Sequence, residues 1–171
     1  MRFFFLILTI LLFSSKINAE QNVAFIDLDL IIKNSLVGKS ASTQLEKRKK
    51  SLIDKLLKVE NNLKDEEVKI VSQKNILEDD KYKIKVKELR DSISEHRKNK
   101  IEKNNEFNMF TLEANNKILS ILNPIINDYS KEKSISIIFQ KKNIVSGRND
   151  LDITTDILNL LNNKIKKIDL N

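Results

Sequence analysis

The fold is decided by residues 42–77, whose sequence is STQLEKRKKSLIDKLLKVENNLKDEEVKIVSQKNIL. This stretch contains no glycine and no proline, and most of its apolar residues recur at intervals of seven, or of four and three. They are Leu45, Leu52, Leu56, Val59, Leu63, Ile70 and Leu77. Such a repeat is typical of two supercoiled helices that stay in contact along one seam. The stretch is therefore predicted to be a long helix that packs against a partner.

The partner helix is predicted to follow a polar tetrapeptide, Glu78–Lys81. Its seam residues are Tyr82, Val86, Leu89, Ile93, Phe107, Phe110, Ala114, Ile118, Ile121 and Ile125. A turn at the tetrapeptide would pair Leu77 with Tyr82, Leu63 with His96, Leu52 with Phe107 and Leu45 with Ala114. Each arm would be on the order of 50–60 Å long, at about 1.5 Å per residue. Pro124 is predicted to kink the second helix without ending it, because the apolar pattern continues beyond it.

The middle of this seam is polar. His96, Lys100 and Lys103 fall on it and would face Leu63, Val59 and Leu56. Each lost apolar pair forgoes roughly 1–3 kcal/mol of burial, so the arm is predicted to bend or open there. These three residues are the predicted arm hinge. His96 is the only histidine, and without a second histidine or a cysteine a metal site is not expected.

The chain begins like an exported protein. A short basic start, an apolar core at residues 3–13 and a small residue, Ala19, match a secretory signal peptide cleaved after that alanine. The alternative is an uncleaved anchor, but eleven residues are fewer than the about 20 needed to span a bilayer. Cleavage removes Arg2 and Lys16, so 29 basic residues remain against 24 acidic ones, a net charge of about +5.

Both ends of the mature chain are predicted to form one small body. Residues 22–30, NVAFIDLDL, give a strand that is apolar on both faces, followed by a short helix capped by Asp29 and ended by Gly38. Residues 134–147, SISIIFQKKNIVSG, alternate like a β-hairpin, and Asp152 would cap a last helix. That helix would bury Ile153, Ile157, Leu160 and Leu161 on one face, and the basic tail from Lys164 would fray.

The predicted fold class is α+β, mostly α, with a long antiparallel coiled-coil hairpin projecting from a three-stranded body. The predicted parts are a signal peptide at 1–19, the first strand and short helix at 20–41, the helical arm at 42–123, and the end of the arm with the β-hairpin and last helix at 124–171. A body of this size buries too little apolar surface to be stable on its own. Oligomerisation would bury its outer apolar face, which is assigned to Val23, Phe25, Ile137 and Phe139.

Composition excludes several classes of function. No cysteine is present, so a disulfide framework, a cysteine metal site and a thiol nucleophile are ruled out. Gly38-Lys39-Ser40 resembles the end of a phosphate-binding loop, but the required earlier glycine is Lys33. An enzyme is therefore not expected, nor is a cofactor. The sequence pI of about 9.4 would suit nucleic acid, but export and the mixed charge of the arms argue against that partner.

A basic cluster lies just past the predicted tip, at Lys81, Lys83, Lys85 and Lys87. These lysines could contact an acidic client or an anionic membrane surface over about 10 Å at ordinary salt. The alternative is an ordinary solvated helix face, and it is favoured for each lysine taken singly.

The order of these segments resembles the Skp/OmpH family of periplasmic chaperones. The similar pieces are the signal peptide, VAFIDLDLIIKNS followed by Gly38-Lys39, the charged helical pair, SISIIFQKKNIVS and LDITTDILNLLN. The resemblance implies a homotrimer whose strands form a central body and whose arms enclose a cavity. It further implies that the cavity holds unfolded outer-membrane proteins without ATP. The arm tips do not align residue by residue, so no lipopolysaccharide-binding residues are assigned.

Two readings of function remain after this comparison. The first is a periplasmic holdase that keeps unfolded outer-membrane proteins from aggregating. The second is a structural or tethering coiled coil of the cell envelope, which would have a fixed partner and little affinity for unfolded chains. A holdase assay with an unfolded barrel protein separates them.

Overall fold

The computed structural model describes residues 22–170. Its regular elements are β1 (Asn22–Ile26), α1 (Leu28–Asn34), α2 (Leu36–Ser72), α3 (Asp79–Glu132), β2 (Ile135–Gln140) and α4 (Thr154–Lys164), with short 3-10 turns at Lys141–Asn143 and Asn149–Leu151. The helices α2 and α3 pack against each other as a hairpin. The predicted signal peptide, residues 1–19, lies outside the described residues.

The turn of the hairpin lies earlier than predicted. Helix α2 ends at Ser72 and α3 begins at Asp79, so the turn is formed by residues 73–78 rather than by Glu78–Lys81. Asp79 and Asp80 occupy the first turn of α3, where carboxylates stabilise the positive end of the helix dipole. The two helices are 37 and 54 residues long, or about 55 and 80 Å. Pro124 lies inside α3 and does not end it, as predicted.

The junction of α1 and α2 differs from the predicted one. Asp27, not Asp29, caps α1, because its Oδ1 accepts a hydrogen bond from the Leu30 N–H at 2.9 Å. Ser35 caps α2 through the Gly38 N–H at 3.0 Å. Gly38 therefore lies in the first turn of the long helix, which begins at Leu36, instead of ending the short one. A Cβ atom at Gly38 would lie 1.6 Å from the Ile32 carbonyl oxygen, so only glycine fits this close approach.

The sheet has two strands in the described residues, not the three that the sequence predicts. Strands β1 and β2 run parallel, with Val23 beside Ile137 and Phe25 beside Phe139. After β2 the chain enters a 3-10 turn, so the predicted hairpin does not form. The other side of β1 is also taken, because the Phe25 carbonyl accepts a hydrogen bond from the Ile153 N–H at 3.0 Å. The segment before α4 thus occupies a position beside β1 that a further strand would need.

The core joins the body to the base of the hairpin. Its fully buried side chains come from α1, α2, α3 and α4, and they include Ile31, Val37, Ile118, Leu122, Ile157 and Leu161. The inner face of the sheet contributes Ala24, Ile26 and Ile138. On α4, Leu160 was predicted to be buried but is 41% exposed, because it points away from the face shared by Ile157 and Leu161.

One hydrogen bond ties the start of α4 to the residue that follows β1, and a second is local to the helix start. The Thr154 hydroxyl accepts from the Asp27 N–H at 2.9 Å. Asp152 was predicted to cap the last helix from Ile153, but the N-cap position is Ile153 and α4 begins at Thr154. Asp152 still accepts a hydrogen bond from the Thr154 N–H at 3.0 Å, which satisfies one free donor at the start of the helix. The tail beyond α4 was predicted to fray, and that is wrong. Ile168 and Leu170 are buried in the core.

Candidate interaction surfaces

The outer face of the sheet is apolar and partly open. Ile137 and Phe139 on β2 are each 48% exposed, and Val23 on β1 is 37% exposed. Their neighbour Phe25 is buried. The structure therefore brings the four residues of the predicted oligomer face together on one side of the sheet. Three of them still expose apolar area that a second chain could cover.

Phe25 is covered by the segment between β2 and α4. Gly147 lies against its ring, and a Cβ atom there would come within 2.9 Å of the ring. The Lys141 ammonium lies 5.7 Å from the ring centroid and pairs with Asp152 at 2.7 Å. Burial works against ionisation of Asp152, but hydrogen bonds from Lys141 and Thr154 hold its pKa below the ordinary value. A cavity of about 320 Å³ remains between this segment and the sheet.

The edge of the sheet is open on the side of β2. Within residues 22–170, β2 has one neighbouring strand, β1. An aliphatic strand with an unpaired edge is a template for pairing with another chain. Beside it, Val145 is fully exposed in the loop after β2. These features agree with a contact between chains at this end of the molecule.

The middle of the hairpin contains an open groove. Its volume is about 470 Å³, and its lining includes Leu52, Leu56 and Val59 from α2 and Lys103 and Phe107 from α3. No side chain between Ala41 and Ile70 on α2 is buried, and none is between Leu89 and Ala114 on α3. The seam is thus closed at both ends and loosely packed between them.

The predicted hinge residues occupy different positions around this groove. Lys103 lines it and is bound to Glu106 of its own helix at 2.8 Å, a hydrogen bond that raises the pKa of Lys103. Lys100 is exposed. The Nδ1 atom of His96 is buried without a hydrogen-bond partner, which weakens local packing further. Val59 was placed on the seam by its spacing, but it is 42% exposed.

The base and the tip of the hairpin are each joined by a side-chain contact between its two arms. Near the body, the Arg48 guanidinium stacks 4.0 Å from the centroid of Phe110. At the tip, the Lys85 ammonium donates to the side-chain oxygen of Gln73 at 3.1 Å. Both contacts lie within one residue of the pairing predicted from the heptads.

A second set of apolar residues on the arms was missed by the sequence interpretation. Exposed side chains on α2 include Ile53, Leu57, Val68 and Val71. At 100° per residue they fall within about 60° of each other and about 100° from the seam. We call this set the α2 stripe. Spacings of 4 and 18 residues, which place side chains on one face of a helix, are visible in the sequence. Most apolar residues of this stretch were assigned to the seam, so the second apolar face was not recognised.

A comparable set lies on α3. Ile101, Met109 and Leu112 are exposed and fall within about 80° on the helix. Ile101 and Met109 line a shallow groove of about 780 Å³. Exposed apolar residues grouped in this way are typical of surfaces that bind other proteins.

The predicted basic cluster is largely engaged with neighbouring side chains. Lys81 pairs with Glu78 at 2.9 Å, and Lys83 pairs with Asp79 at 2.8 Å. The hydrogen bond from Lys83 lowers the pKa of Asp79. Lys85 bridges to α2, as described above, and Lys87 is exposed. Exposed ion pairs of this kind are weak, so the lysines could still exchange these partners for others.

The described residues provide neither a cluster of metal ligands nor a helix that could span a membrane. Within residues 22–170, no group of three or more histidine, cysteine, aspartate or glutamate side chains is placed to hold a metal ion. None of the helices in the same range combines the length and the apolar character needed to cross a membrane.

Comparison with known proteins places this architecture in a family. The model of the family described as "Outer membrane protein (OmpH-like)" matches residues 22–161. No curated protein matches the chain. Among solved structures, the crystal structure of a candidate outer membrane chaperone (OmpH-like) from Caulobacter crescentus CB15 superposes with a TM-score of 0.80. It shares 17% sequence identity, and the match covers 86% of this chain and 88% of that one. The chain therefore belongs to the OmpH-like outer membrane protein family.

Proposed function

We propose that the chain is an ATP-independent periplasmic holdase that binds unfolded outer-membrane proteins and prevents their aggregation. One observation carries the proposal. The hairpin exposes the α2 stripe and the apolar residues of α3 in addition to its seam. A coil that only bridges two points has no need of apolar area beyond its seam, whereas a holdase needs many weak apolar contacts. Family membership and the predicted signal peptide support the same function and the periplasmic location.

The working form is a homotrimer. The half-exposed residues Val23, Ile137 and Phe139 and the open edge of β2 form the contact between chains. Three hairpins would then leave one central body and surround a space between them. Unfolded clients inside this space are kept apart from one another, which lowers their free concentration.

The middle of each arm acts as a hinge in this proposal. The open groove beside Lys103, the unpartnered Nδ1 of His96 and the lack of buried side chains there all reduce the cost of bending. Arms that bend in the middle would admit clients of different sizes. The lysines past the tip would contact anionic membrane surfaces or acidic clients.

The decisive experiment is a holdase assay with an unfolded outer-membrane barrel protein. The mature chain should suppress aggregation in the absence of ATP. A variant with Leu57→Ser and Val71→Ser on the α2 stripe should bind the client about tenfold more weakly, since each half-exposed side chain contributes roughly 0.7 kcal/mol when covered. Leu160→Ser, at a half-exposed site on α4 outside the arms, is the matched control. A tether would show no suppression and no effect of either change.

A further inference from the structure

The chain beyond α4 folds back to the base of the hairpin. Ile168 and Leu170 are 8% and 7% exposed, and Asp169 between them is exposed. Burial at alternate positions is the pattern of an extended segment lying on an apolar surface. Ile168 and Leu170 share one apolar cluster with Ala41 of α2 and Ile118 of α3. The tail therefore fills a groove where the hairpin joins the body.

Gln44 of α2 holds the tail as a neighbouring strand would. Its Nε2 donates to the Ile168 carbonyl at 2.6 Å, and its Oε1 accepts from the Leu170 N–H at 3.2 Å. A residue in a parallel strand makes the same two hydrogen bonds to its neighbouring strand. Its N–H donates to the carbonyl of the residue before the one opposite, and its carbonyl accepts from the N–H of the residue after it. The side-chain amide of Gln44 thus stands in for a strand residue opposite Asp169.

Other polar groups around the groove also bind the main chain of the tail. The Lys117 ammonium of α3 donates to the Asp169 carbonyl at 2.5 Å, and the Ser40 hydroxyl donates to the Ile168 carbonyl at 3.5 Å. Main-chain hydrogen bonds contribute affinity without reading side chains, and pockets at alternate positions supply selectivity. The groove is therefore built to recognise an extended segment with apolar residues two positions apart.

The position and contacts of the tail allow it to dissociate from the groove. It lies beyond residue 161, where the match to the family ends. Lys166 and Lys167, which lie between α4 and residues 168–170, are exposed. The tail is therefore held mainly by the contacts of residues 168–170. Release of these residues is therefore a local opening that leaves α4 and the hairpin in place.

We propose that the Gln44 groove is a binding site for extended segments with apolar residues at alternate positions, and that the chain's own residues 168–170 compete for it. Strands of outer-membrane barrels alternate apolar and polar residues in this way. The identity of the natural ligand as an unfolded barrel strand rests on the proposed holdase function. The existence of the groove and its competition with the tail do not.

The size of the competition follows from the tether. A segment held on a short linker has an effective concentration on the order of 1 mM. If the free tail peptide binds with a Kd of about 0.1 mM, the tethered tail weakens an added peptide about tenfold. Releasing the tail should therefore strengthen the binding of the added peptide about tenfold.

The test uses a fluorescent peptide, Lys-Lys-Ile-Asp-Leu-Asn, which copies residues 166–171. It should bind the full chain with Ile168→Ser and Leu170→Ser about tenfold or more tightly than it binds the unchanged chain. Adding Gln44→Ala to that variant should abolish the gain. A control peptide with serine in place of isoleucine and leucine should not bind. Equal binding to the two chains, or binding of the serine peptide, would overturn the proposal.

A second measurement does not depend on a variant that folds. Saturating peptide added to the unchanged chain should displace the tail and speed hydrogen exchange at the Leu170 N–H. Unchanged exchange at saturating peptide contradicts competition. A client assay then separates the two proposals. If the peptide binds but unfolded barrel proteins do not, the holdase function fails and the groove remains. If clients bind but tail release changes neither peptide nor client affinity, the groove fails and the holdase function remains.

Discussion

Substitution of Phe139 by aspartate should dissociate the proposed trimer without unfolding the subunit. Phe139 lies on the outer face of the sheet and is 48% exposed in the single chain. A phenylalanine buries roughly 200 Å² when fully covered, so about 100 Å² remains to be covered by a partner. At about 25 cal/mol per Å² this is about 2.5 kcal/mol for each subunit and about 7 kcal/mol for three.

The aspartate adds a second penalty to this loss. A carboxylate covered by the partner would be buried without a positive partner, which costs several kcal/mol more unless it becomes protonated. In the free subunit the same side chain can reach water, because the site is half exposed. The substitution should therefore act on assembly much more strongly than on folding.

Light scattering coupled to size-exclusion chromatography measures assembly, and far-UV circular dichroism measures helix content. Phe139→Asp should elute as a monomer with its helix signal largely retained. Ile76→Asp, at an exposed position in the turn of the hairpin, is the matched control and should remain a trimer. A monomeric parent chain, or a Phe139→Asp variant that still forms trimers, would refute the assignment of this face.

Three further predictions concern other parts of the chain. Hydrogen exchange should be faster around residues 59–63 and 96–103 than at the base, around Ala41 and Ala114, or near the tip, around Ile70 and Leu89, where side chains are buried. Lys103→Leu, at the groove, should slow exchange in the middle and narrow the range of client sizes. Uniform exchange along both helices would contradict the hinge. Burial and a hydrogen bond to Asp156 raise the pKa of Tyr129 from 10.0 to about 12. The hydrogen bond therefore stabilises the fold below pH 10, and its contribution is lost as the pH rises towards 12. After allowance for solvent screening, the hydrogen bond contributes about 1 kcal/mol to the free energy of unfolding. Urea unfolding should show that Tyr129→Phe is less stable than the parent by that amount at pH 9, and equally stable at pH 12. Mass spectrometry of periplasmic protein should find Glu20 at the N-terminus, and a mature form that retains Met1 would exclude cleavage after Ala19.

The helical hairpin was predictable because its signal is local and long. A heptad repeat over residues 42–77 specifies both the helix and the side that faces its partner. The exact turn was not predictable to the residue, since Asp79 and Asp80 break the apolar pattern but also favour a helix start. The position of the turn followed the charge preference of the helix end rather than the hydrophobic pattern.

The sheet was only half predictable. Both strands were recognised by their aliphatic residues, but their partners depend on contacts across more than 100 residues. Ile144 and Val145 have the composition of a strand, but they follow a 3-10 turn and pair with neither strand, whereas the Ile153 N–H binds the Phe25 carbonyl. Composition identified the segments that prefer extended structure, and tertiary hydrogen bonds decided which of them paired.

The tail is the clearest case in which composition misled. Residues 164–171 carry three lysines and follow the last helix, features that usually indicate a frayed end. The two residues that hold the tail, Ile168 and Leu170, form an alternation too short to stand out. Their hydrogen-bonding partner, Gln44, is 124 residues away from Ile168. Only the folded chain brings that amide beside them.

The distribution of buried residues along the hairpin bears on how such a protein could bind unfolded chains. Ala41 and Ala114 are buried at the base, and Ile70 and Leu89 are buried near the tip. Between these pairs the helices can separate without exposing a buried side chain, because none is buried there. Opening the middle therefore costs less than opening either end, and the ends limit how far it spreads. A binding surface with this property adjusts its shape at low free energy, which suits clients that share no sequence and no fold.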